Sequence, residues 1–110
     1  MGFRIPKNTE KVSWTRHVKE KMKFYRLSES RLKRVLFNPK RIEKGIVLGT
    51  IAIMQPTGTK KHPTEIWLMY QKIDKKIRII TAWRYPGISP VREPPPVPDD
   101  ILKFLWKLKL

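Results

Sequence analysis

The residues equipped for chemistry are two histidines, His17 and His62, the tyrosines Tyr70 and Tyr85, and cations including Lys21, Arg41, Arg78 and Arg84. These types meet the needs of a metal-independent attack by a ribose 2′-hydroxyl on its neighbouring phosphodiester. Such a reaction takes a base for the hydroxyl, positive charge on the phosphorane and an acid for the leaving oxygen. Arg78 and Arg84 are evenly spaced in one extended stretch, so both are predicted to leave the same sheet face, with Tyr85 following as a proton donor. The plainer reading of these residues is a solvated strand edge that contacts phosphate or keeps the chain in solution. His17 flanks an apolar helix face, where a packed ring is the commoner arrangement. His62 lies between Lys61 and Pro63 in a turn and reads as exposed.

Other chemistries lack their residues. There is no cysteine, so disulfides, thiolate metal sites and thiol nucleophiles are excluded. Two histidines without a carboxylate cluster make no metal site, and no glycine-rich phosphate loop occurs. No metal and no cofactor are expected. The few scattered acids do not suit a paired-carboxylate mechanism.

Charge is the loudest feature. Twenty-five Lys and Arg face nine acids in 110 residues, a formal net charge of +16. A surplus of this size repels itself in a folded chain and marks a protein that attracts an anion. Residues 1–44 carry fourteen bases and four acids (+10), against eleven and five (+6) for residues 45–110. Arg16, Lys19, Lys23 and Arg26, then Arg31, Lys33 and Arg34, with Arg41 beyond them, form the expected nucleic-acid-binding set. Such a patch holds phosphate without reading bases. Trp67, Trp83 and Tyr85 offer stacking surfaces, although tryptophans in strands are usually core.

The elements that position these residues follow from periodicity. Residues 1–12 read as an irregular arm. Ser13 is taken as the cap of a first helix, on which Trp14, Val18, Met22 and Tyr25 form an apolar arc. Lys21 falls inside that arc, an odd place for an ammonium group. Ser28 caps a second helix, with Leu27 and Leu32 at staple spacing and Leu32, Val35 and Leu36 as its buried stripe. Asn38-Pro39 stops it. Arg41–Lys44, Thr50–Gln55, Glu65–Ile73 and Lys76–Trp83 read as strands, the last two joined by a tight Asp74-Lys75 turn. The later strands are apolar on both alternating sets, so both sheet faces are expected to be covered. Residues 86–98 hold six of the ten prolines and are expected to run extended as a linker. Asp99-Asp100 caps a final helix, Ile101–Leu110, apolar most of the way round and therefore expected to be buried.

The stretch His17–Pro39 resembles the RelE/ParE toxin superfamily, and within it the uncharacterised domains related to BrnT-type ribonuclease toxins. The likeness rests on His17 with a basic residue four positions on (Lys21), the Ser28-capped second helix ending in Asn38-Pro39, and the closing strand Ile79–Arg84. It covers roughly residues 14–85. Lys21 stands where arginine is more usual, and Arg26 where the turn is often glycine. The resemblance implies an α+β domain with two N-terminal helices on an antiparallel sheet of three to four strands, and a substrate or partner on the other face. It further implies mRNA cleavage or, as in other members, gyrase poisoning, and an antitoxin partner.

The resulting expectation is a cytoplasmic basic domain at residues 13–85, followed by the linker and the helix at 99–110. It binds RNA or a ribosomal surface, with endoribonuclease chemistry at His17, Lys21, Arg78, Arg84 and Tyr85. The alternative is a non-catalytic interaction module, dimerising through Ile101, Phe104, Leu105 and Leu108 or docking them on an antitoxin-like protein. No segment is apolar over the length of a membrane span, so no integral membrane association is expected.

Overall fold

The computed structural model describes residues 5–91 and 95–108. The elements run β1 (Val12–Trp14), α1 (Arg16–Tyr25), α2 (Glu29–Phe37), β2 (Arg41–Lys44), β3 (Thr50–Gly58), β4 (Pro63–Ile73), β5 (Lys76–Pro86) and α3 (Asp99–Lys107). The sheet has five strands in the order β1-β5-β4-β3-β2.

This corrects the expected three- to four-stranded antiparallel sheet. β2 to β5 are antiparallel, but β1 joins β5 in parallel, placing Val12 beside Ile77 and Trp14 beside Ile79. The arm is therefore structured where it meets the sheet. The Asn8 side chain accepts the Trp14 N–H, and Thr9 Oγ1 accepts from Lys11 N and Val12 N. Ser13 lies in the strand. The cap is Thr15, whose hydroxyl accepts the Val18 N–H and donates to the Ile80 carbonyl, fastening the helix start to β5.

α2 runs as the sequence predicts, with Ser28 accepting the Arg31 N–H and Asn38 at the C-cap. Leu27 and Leu32 are both buried. Thr50–Gln55, Glu65–Ile73 and Lys76–Trp83 each extend further than predicted. Asp74 in the β4–β5 turn has φ of 55°, a conformation that a short polar side chain tolerates.

Both faces of the sheet are covered. On one, α1 and α2 bury Val18, Met22, Leu32 and Val35 against Ile53, Ile66, Leu68, Ile79 and Ala82. On the other, Ala52, Met54, Trp67, Met69, Ile80 and Trp83 lie under Ile101 and Leu105 of α3, with Val97 packed alongside. The indoles of Trp67 and Trp83, opposite each other in β4 and β5, are parallel to within 2° at 5.8 Å. The expected linker thus contributes to the packing: Ser89 and Pro95 are buried. α3 begins at Asp99 after Pro98; the last two residues of the predicted helix lie outside the described residues.

Candidate nucleic-acid interface

The five expected catalytic residues do not converge. His17 Nε2 lies 2.9 Å from Thr81 Oγ1, and its ring stacks on Phe104 of α3 at 3.7 Å and 3°. Burial, aided by the nearby Lys21 charge, lowers its pKa from 6.5 to about 4, so the ring is neutral near pH 7. Lys21, with a side chain 18% exposed, pairs with Asp100 at the start of α3. That ion pair holds the Asp100 carboxyl below its ordinary pKa. The ammonium in the apolar arc thus has a partner seventy-nine residues away. His17 and Lys21 join α1, on one face of the sheet, to α3, on the other, around the β5 edge.

Arg78 and Arg84 leave opposite faces, against the prediction. Tyr70 pairs with Ile79 but Met69 pairs with Thr81, so Ile80 is an extra residue and the alternation reverses there. Ile79 and Ala82 accordingly share the α1–α2 core, while Ile80 and Trp83 share the α3 core. Arg84 donates to the Tyr25 carbonyl at the end of α1 at 3.3 Å, whereas Tyr85 packs against the α3 side. The face on which the toxin resemblance implies a substrate is occupied by the chain itself.

Arg41 is also committed internally. Its side chain is 14% exposed, donates to Glu43, Ser89 and the Pro90 carbonyl, and lies 5.1 Å over the Trp67 ring. Behind it Glu65, 3% exposed, accepts from Trp67 Nε1 at 3.0 Å and from the Ser89 hydroxyl at 2.6 Å. This buried polar cluster clamps the proline segment to the sheet, a purpose the sequence did not reveal.

The other expected contacts remain at the surface to different degrees. Arg16 sits 3.7 Å from Glu20 with both side chains largely exposed, and Lys33 pairs with Glu29 at 2.8 Å. Lys19, Lys23, Arg26, Arg31 and Arg34 form no ion pair among the described residues. Lys23, Arg26 and Arg34 are exposed, and Lys19 and Arg31 partly so.

The structure adds a feature the sequence did not show. A groove of about 320 Å³ opens between β1, the segment before it, the end of α2 and the β4–β5 turn. Its walls carry Lys7, Lys11, Lys33 and Lys75, and its floor is Val12, Trp14 and Ile77. Phe37, the last residue of α2, stands at its rim 73% exposed. The same ring borders a second, shallower concavity with Lys33, Arg34 and Gln55. Gln55 Nε2 donates to the Arg34 and Asn38 carbonyls, tying the end of α2 to β3. The turn at Thr9 fixes the chain beside Lys7 and Lys11. These cations are thus carried by segments tied to the sheet.

Among the described residues no set of three His, Asp and Glu side chains gathers as metal ligands, and no helix is long and apolar enough to cross a membrane. The four apolar residues expected to dimerise turn inward: Ile101 and Leu105 are buried in the second core, with Phe104 and Leu108 packed against it. The chain matches no protein-family model, no curated protein and no solved structure.

Proposed function

We propose that the chain is a non-catalytic domain that binds RNA through the cationic surface of its α1–α2 side and the adjoining groove. The observation that carries this reading is the Lys7–Lys11–Lys33–Lys75 groove, continuous through Phe37 with the Arg34 side of α2. Surface cations beside an exposed aromatic ring match the phosphate and base chemistry of a nucleic acid. The dispersal of His17, Lys21, Arg78, Arg84 and Tyr85 favours binding over cleavage, because no two of them face a common space with the third role supplied.

Salt dependence tests the reading. Six phosphate contacts with a single strand give a log–log slope of roughly −4, so affinity falls about 300-fold between about 50 and 200 mM salt. The RNA is expected to emerge at its original length after prolonged incubation. Affinity indifferent to salt would dispose of the phosphate interface, and cleavage abolished by Arg84→Ala or Tyr85→Phe would restore the catalytic reading.

A further inference from the structure

We infer that the groove beside Phe37 is a single-strand site, in which an unpaired base stacks on the Phe37 ring and the flanking phosphates lie along Lys7, Lys11 and Lys75. The inference rests on the proposed RNA binding and specifies the form of RNA that is bound.

Three observations point to an unpaired strand. First, Phe37 is exposed although α2 has a buried stripe of its own, Leu32 and Val35, with Leu36 partly buried against the same core. Its ring adds nothing to that core and stands open to solvent. Second, the cations that line the groove with Phe37 come from separate elements. Lys7 and Lys11 come from the arm, Lys33 from α2 and Lys75 from the β4–β5 turn. A strand that bends around the ring meets charge on successive phosphates. Third, the floor of Val12, Trp14 and Ile77 is apolar, which suits the face of a base and offers a duplex backbone nothing. A duplex hides its base faces and presents phosphates on a cylinder that Phe37, standing at the rim, would hold away from the groove. Stacking of this kind tolerates any base, so the site discriminates unpaired from paired RNA and not one sequence from another.

The test uses the full chain with two fluorescent RNAs, an unstructured strand of about 12 nucleotides and a duplex of the same length. The variants are Phe37→Ala, Phe37→Trp and the triple Lys7→Gln, Lys11→Gln, Lys75→Gln. Circular dichroism and the unfolding midpoint confirm that each variant is folded; Phe37 is exposed and the three lysines lie at the surface. Phe37→Ala is expected to weaken single-strand binding about 5- to 150-fold, with Phe37→Trp retaining it. Duplex binding and the salt slope stay unchanged in both. The triple variant lowers the single-strand salt slope by about 2, from roughly 0.7 per lost phosphate contact. If Phe37→Ala leaves single-strand affinity intact, or weakens both RNAs equally, the single-strand site is overturned while the phosphate interface stands. Failure of the unaltered chain to bind either RNA removes both.

Discussion

Acidification tests the buried setting of His17 between Thr81 of β5 and Phe104 of α3. His17 titrates at about 4 in the folded chain against 6.5 as its ordinary value, first through burial and then through Lys21. Well above pH 6.5 the ring is neutral in both states and contributes no pH dependence. As the pH falls from there towards 4, the unfolded chain takes up a proton that the folded chain refuses, so stability declines with falling pH. The full difference would amount to about 3 kcal/mol, at roughly 1.4 kcal/mol for each pH unit. The ring is only half-buried, and solvent screening reduces this to about 1–2 kcal/mol. Asp100 acts in the same direction at lower pH: its pKa is depressed, so the stability it adds is lost as the pH drops through the carboxylate range. The perturbation is His17→Gln, which keeps a polar group near Thr81 but cannot titrate. Urea unfolding followed by tryptophan fluorescence at about pH 7 and about pH 4.5 gives four stabilities, and background carboxylates cancel in their differences. The native chain is expected to lose about 1–2 kcal/mol more than the variant over that interval. Equal losses would rule out a depressed His17 pKa, as would a ring titration by NMR near the ordinary histidine value.

Two further outcomes concern the packing. Glu65→Ala leaves Trp67 Nε1 and the Ser89 N–H and hydroxyl without their buried acceptor and removes the carboxylate 3.9 Å from Arg41; a loss of about 3–5 kcal/mol in chemical denaturation is expected. In combination with Arg41→Met the loss should fall below the sum of the two single changes, and strict additivity would argue against a coupled cluster. Arg26 ends α1 at φ 57° and ψ 49°, where a side chain is strained. Arg26→Gly is therefore expected to stabilise by about 1 kcal/mol, read as a rise of several degrees in Tm.

The parts of the fold legible in the sequence were those written locally. Ser28, the Leu27–Leu32 pair and Asn38-Pro39 delimit α2 within a dozen residues, and the Asp74-Lys75 turn announces its hairpin. Coverage of both sheet faces followed from strands apolar on each alternating set. β1 was illegible because three residues cannot display an alternation, and Trp14 falls at helical spacing from Val18. The extra residue at Ile80 depends on the register with β4, so it could not be read from β5 alone, and with it went the shared face of Arg78 and Arg84. Lys21 in an apolar arc was visible as an anomaly, but its answer, Asp100, lies on another element. Arg41 looked like one more basic residue until Glu43, Glu65 and Ser89 were gathered about it. The Phe37 groove is assembled from separate parts of the chain, and its one sequence signal is an aromatic off the α2 stripe and next to a basic run.

The short parallel strand has a consequence for how the molecule behaves in a crowded solution. β1 shields β5 only as far as Ile79, which leaves the stretch from Thr81 to Pro86 as an open margin of the kind on which a neighbouring chain nucleates a shared ladder. The His17–Thr81 contact, the Phe104 ring and the Arg84 link to α1 stand guard there. At the opposite margin β2 is four residues long, with Arg41, Glu43 and Lys44 among them, too short and too charged to recruit a stranger. Loosening α3 would thus do more than expose a core: it would unlatch one border of the sheet and invite self-association.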